Sequence, residues 1–161
     1  MRTPASIAGH PIHPMLVPVA VGGLVLSFIF DIVCLSTGKI DPWSTVAYFT
    51  MIGGIVGALI AALFGFVDML SLPSGSYTKK IALLHMALNL TLVVLFIASA
   101  WLRHQNASPA GTPFILSLTG ILMLVVSGWL GGKLVFEGGV GVSAGEEPAA
   151  GSRPTNRPRE A

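Results

Sequence analysis

Cysteine is almost missing from this chain: Cys34 stands alone among 161 residues. A single thiol forms no intramolecular disulfide, no Cys-x-x-Cys-His haem attachment and no multi-cysteine cluster, so Cys34 reads as a packing residue. Charge is scarce as well, at 10% of residues, against about 25% in an ordinary soluble domain. The formal charge of +2 and pI near 9.0 form no basic stripe, which argues against a nucleic-acid partner. No phosphate-binding glycine loop is present, because Gly53-Gly54 and Gly131-Gly132 lie inside apolar runs without the accompanying lysine and hydroxyl pattern. Ser71, Ser74 and Ser76 fall between apolar segments near Asp68 and His85, but no nucleophile elbow or oxyanion arrangement accompanies them.

What the chain has in quantity is apolar length. Hydrophobic residues make up 53% of it, and they cluster in four runs, at about 15–35, 46–69, 81–102 and 114–134. Each approaches the ~20 residues a helix needs to cross the hydrocarbon core. Only helices or closed barrels satisfy every backbone group there, and runs this apolar are not barrel strands. The expected fold is all-α, a four-helix transmembrane bundle over residues 1–142, followed by a polar, breaker-rich tail, 143–161, expected to be disordered. The first run is too long for a signal-peptide core and is expected to remain as a span. Arg2, Lys79, Lys80, Lys133, Arg153, Arg157 and Arg159 fall on one side of such a bundle, against Lys39 and Arg103 on the other. The positive-inside rule therefore puts both termini in the cytoplasm.

Proline punctuates the first entry. His10 and His13 each precede a proline, which favours extended backbone, and Pro14 suits a first helical position. Gly38 reads as the stop of that helix and Trp43 as an interfacial anchor. In the second run Gly53, Gly57, Ala61 and Gly65 form a stripe at four-residue spacing, read as a helix-packing face. No internal repeat is convincing: the first and third helices both open with histidines, but the residues around them do not match.

Ionisable groups inside spans are expensive, so each needs a partner or a purpose. Here they gather in one layer. His13 enters with the first helix, Asp68 closes the second, Lys79, Lys80, His85 and Asn89 open the third, and Lys133 and Glu137 end the fourth. Asp68 at a helix C-terminus must pair with a cation or keep its proton, whereas His85 near an N-terminus is favoured as the neutral, ligand-competent ring. On the opposite side Asp31 is expected to pair with Arg103 or Lys39, and His104 to be solvated.

Gly9-His10-Pro11-Ile12-His13-Pro14, Asp68, His85-x-x-x-Asn89 and the run Gly128-Trp129-Leu130-Gly131-Gly132-Lys133-Leu134-Val135-Phe136-Glu137-Gly138-Gly139-Val140-Gly141-Val142 together resemble the bacterial membrane proteins grouped as domain of unknown function 2231. The resemblance covers nearly all of the chain except its tail. It implies a four-helix inner-membrane protein, with electron transfer nearby, since relatives occur fused to Rieske-type iron–sulfur domains. Lys133 stands where some relatives are expected to carry histidine.

Three readings follow. In the first, His13 and His85, with His10, bind a b-type haem, or His13, His85 and Asp68 bind a transition metal. Asp68, Asn89 and Glu137 then surround the site or handle protons, and an iron–sulfur protein is the redox partner. In the second, Asp68 and His85 serve a proton-coupled carrier, whose small size calls for a homodimer. In the third the chain is a non-enzymatic assembly subunit whose glycines and polar groups only pack. All three place it in the lipid bilayer of a bacterial inner membrane.

Overall fold

The structure, a computed structural model, describes residues 3–105 and 108–142; the expected tail lies outside the described residues. A two-residue hairpin, β1 (Ser6–Ile7) and β2 (His10–Pro11), precedes four helices: α1 (Ile12–Thr37), α2 (Trp43–Leu70), α3 (Tyr77–His104) and α4 (Thr112–Phe136). All four are long and apolar enough to span a membrane, with mean hydropathy between 2.0 and 2.4 over their best windows. Each overruns its expected bounds by one to four residues at either end. At ~1.5 Å per residue the helices are about 38–42 Å long, so their ends emerge from ~30 Å of hydrocarbon.

Only 22–28% of each apolar window is buried within the chain. Outward-facing Leu63, Val125, Trp129 and Phe136 are among the most exposed side chains, as a lipid-facing surface requires. The shared core is small: Leu24, Met51, Ile55, Leu92, Val93, Phe96 and Ala100. Packing is extensive between α1 and α2 and between α3 and α4, and much thinner between α2 and α3 or α1 and α4. The bundle is thus two helical hairpins laid side by side.

Glycine makes the tight pairs. A Cβ on Gly23 would sit 2.7 Å from the Gly54 Cα, and one on Gly54 would sit 2.7 Å from the Leu24 nitrogen, so the α1 and α2 backbones touch there. Gly57 packs on Ala20, and Gly65 lies under the His13 ring. Gly53 of the expected stripe is instead exposed with nothing within 4 Å, and its neighbour Gly54 takes the packing position. In α4, Gly120 admits the Phe96 ring, 2.6 Å from where its Cβ would be.

At the end that carries Thr3 and Val142, Ala8 (φ 50°) and Gly9 (φ 81°) turn the short hairpin back on itself, and the Ile12 N–H closes it on the Ala5 carbonyl at 3.0 Å. α1 then starts at Ile12, so His13 is helical rather than extended, and Pro14 is the third helical residue. Its missing N–H still costs nothing, because the first four N–H groups of a helix lack intrahelical acceptors. As expected, Gly38 ends α1 in a left-handed conformation. Beyond α4, Gly141 packs on Pro11, while Val140 joins Met69, Leu72, Ala82, Met86 and Leu134 in a satellite cluster.

Candidate functional site

His13 and His85 are held in the same way by different hairpins. In the first, the His13 Nδ1–H donates to the Ala61 carbonyl of α2 at 2.8 Å. In the second, the His85 Nδ1–H donates to the Ser127 carbonyl of α4 at 2.9 Å, with the Ser127 hydroxyl 3.0 Å from the same nitrogen. One turn after each carbonyl a glycine clears space for the ring: a Cβ on Gly65 would lie 2.8 Å from His13 Nδ1, and one on Gly131 3.2 Å from His85 Cε1. Both rings are half-buried.

The tautomers follow from the acceptors. A carbonyl only accepts, so His13 carries its proton on Nδ1 and keeps a lone pair on Nε2. For His85 the argument runs through Asn89. The Asn89 Nδ2 lies 2.8 Å from the His85 carbonyl, 2.6 Å from the Ser127 hydroxyl and 3.1 Å from His85 Nε2. The carbonyl at 2.8 Å requires the amide nitrogen, not its oxygen, on that side. Nδ2 therefore donates to Nε2, which accepts, and the ring proton is again on Nδ1. An amide nitrogen has two protons for these three acceptors, so its withdrawal from Nε2 leaves both protons satisfied.

The other expected residues are spread more widely. Asp68 is buried, and its Oδ1 accepts the Ala5 N–H at 3.0 Å. It pins the N-terminal hairpin over the end of α2 rather than pairing with a cation or with His85. Glu137 lies 3.7 Å from Lys133 Nζ, with 59% of its side chain exposed. His10 is exposed on β2, where it lines a shallow groove of about 460 Å³ with Pro11, Pro14 and Met15. Lys79 Nζ donates to the Leu72 carbonyl at 3.0 Å, and its backbone N–H donates to the capping Ser76 hydroxyl at 3.1 Å. Among the described residues no three His, Cys, Asp or Glu side chains are grouped to hold a metal ion.

A second polar cluster occupies the other end. Arg103 grips Asp31 through both guanidinium arms, Nη1 to Oδ1 and Nη2 to Oδ2, each at 2.6 Å. The side chains are 6% and 0% exposed respectively. Arg103 Nε donates to the Ser99 hydroxyl at 3.3 Å, and Nη2 also reaches Ser117 at 3.5 Å. Of the two partners expected for Asp31, Arg103 is the one found, and His104 is exposed. The serines, with Ser127, escaped the sequence reading. Their only signal is spacing: Ser99 and Ser27 precede Arg103 and Asp31 by four residues, and Ser127 precedes Gly131 by four.

No curated protein and no solved structure matches this chain. A family model described as a predicted membrane protein (DUF2231) matches residues 9–144, which takes in the histidine entry, all four spans and the glycine run after α4, and the chain belongs to that family.

Proposed function

We propose that the chain is a haem-binding component of a membrane redox process, in which His13 and His85 would hold the haem. The observation that carries this reading is the matched anchoring of the imidazoles: each Nδ1–H is spent on a backbone carbonyl, leaving an Nε2 lone pair. An Nδ1–H bond to a carbonyl is what fixes the tautomer and raises the basicity of a ligating histidine. Two imidazoles, with no group of three His, Cys, Asp or Glu among the described residues, suit a haem, whose ring supplies the other four donors, better than a bare transition-metal ion. When bound, the haem supplies one-electron transfer. The protein's part is to hold the rings and to release Nε2 of His85 from Asn89.

In this reading the termini face the cytoplasm of a bacterial cell, because Lys79, Lys80 and Lys133 lie at that end of the bundle. The donor or acceptor of the electron is a redox protein, such as an iron–sulfur protein, at the same membrane face. The test is an absorption spectrum of detergent-purified protein made with ample haem, oxidised and then dithionite-reduced. The expected result is a Soret band that shifts on reduction and is lost in His13→Ala and His85→Ala while helical content stays. A colourless wild-type protein overturns the reading.

A further inference from the structure

The contacts repeat although the residues do not. His13, Leu24, Ser27 and Asp31 of α1 correspond to His85, Phe96, Ser99 and Arg103 of α3, each a step of 72: 13 to 85, 24 to 96, 27 to 99, 31 to 103. Their partners step by 66 from α2 to α4: Ala47 to Pro113, Gly54 to Gly120, Ala61 to Ser127, Gly65 to Gly131. Ser27 donates to the Ala47 carbonyl at 2.8 Å as Ser99 donates to the Pro113 carbonyl at 2.9 Å. Gly54 admits Leu24 as Gly120 admits Phe96. The buried residues of α4, Pro113, Ser117, Gly120 and Ser127, fall on Ala47, Met51, Gly54 and Ala61, all of them buried in α2.

We infer that the two hairpins are equivalent halves of a pseudo-dimer about a two-fold axis parallel to the helices, and that Asp31 and Arg103 on this axis position the imidazoles across it. Two features require a two-fold rather than a simple translation. Such an axis exchanges the α2–α3 contact with the α1–α4 contact, and both are present. It also brings a residue on the axis against its own counterpart, and Asp31 meets Arg103, its counterpart by the step of 72. Hairpins in the same orientation repeated about the membrane normal are a known architecture. The second step, positioning, rests on the two-imidazole reading: the buried ion pair joins α1 to α3 at one end, and these two helices each carry one of the rings towards the other end, so the pair sets the register of the helices that bear them.

The experiment exchanges the charges in the full chain. Asp31→Arg and Arg103→Asp each put like charges on the axis, and each is expected to lower the unfolding midpoint by roughly 10 °C or more. The double exchange is expected to recover most of that loss, because Arg at position 31 meets Ser27 where Arg103 meets Ser99. A double exchange no better than the worse single overturns the pseudo-dimer. This thermal readout is independent of any cofactor, so it stands even where a colourless protein has removed the haem reading. For positioning, the isosteric Asp31→Asn is read by the spin state of bound haem. A rise in the high-spin fraction supports the role, and an unchanged low-spin spectrum at a lowered midpoint overturns it.

Discussion

The carboxylate of Asp31 receives both arms of the Arg103 guanidinium at 2.6 Å, with neither side chain more than 6% exposed. A bidentate pair in this setting has nearly all its polar atoms satisfied, with Ser99 and Ser117 taking further donors. It is also the point where sequence-distant hairpins are joined by charge.

Removing one partner leaves the other as an uncompensated buried charge. Arg103→Ala is expected to destabilise the protein by about 3–5 kcal/mol, and Asp31→Ala by a similar amount. Replacing both with Leu and Met of comparable volume is expected to cost far less, since it strands no charge. Thermal unfolding in detergent measures all three, and a single variant as stable as wild type would sink this account.

The glycines divide by what surrounds them. Gly54→Ala forces a Cβ to within 2.7 Å of the Leu24 backbone, and Gly120→Ala to 2.6 Å from the Phe96 ring, so a loss of about 1–3 kcal/mol is expected for each. Backbone yields less than a ring, so Gly54 is the more sensitive. Gly53→Ala meets open space and is expected to gain a few tenths to about 1 kcal/mol from helix propensity. Unfolding midpoints in that order are the check.

Histidine tautomers are directly observable. Nitrogen-15 NMR of imidazole-labelled protein is expected to show both His13 and His85 protonated at Nδ1. Gly65→Ala places a methyl 2.8 Å from His13 Nδ1 and should break its bond to Ala61, changing the His13 signals alone. Gly131→Ala, with 3.2 Å to His85 Cε1, should act more mildly. Two rings with mixed tautomers in the wild type would refute the anchoring argument.

Asp68 tethers the N-terminal hairpin through one bond to the Ala5 N–H. A hydrogen bond contributes about 0.5–1.5 kcal/mol net, so Asp68→Ala is expected to speed hydrogen exchange of the segment from Thr3 to Pro11 by roughly two- to tenfold. Asp68→Asn keeps an acceptor oxygen and should give a smaller change. Equal exchange in Asp68→Ala and wild type would show that the hairpin is held otherwise.

Spans and helix count were legible because lipid demands uninterrupted apolar length, which a chain displays openly. His13, His85 and Asn89 stood out as candidates because polar groups in spans are conspicuous. What could not be read was how they combine. Asp68 shares their level but points its carboxylate at Ala5, a partner contributed by backbone that has no sequence signature. Gly53 and Gly54 are one residue apart, and 100° of helical rotation decides which one packs. The duplicated contacts stayed hidden because Gly54 and Gly120 frame a Leu in one half and a Phe in the other, and because the axis pairs an acid with a base. Identity is lost in such pairs while volume and geometry persist.

The ion pair also has an order in time. A ribosome adding ~5–20 residues per second makes Arg103 roughly 4–14 s after Asp31, by which point α1 and α2 are long enough to have entered the bilayer together. During that interval the first hairpin holds a carboxylate near its loop end with the arginine not yet made. It must rest at the headgroup level, or carry a proton, until α3 arrives. The pair that joins the two hairpins is therefore complete only once the last turn of the third helix is in place.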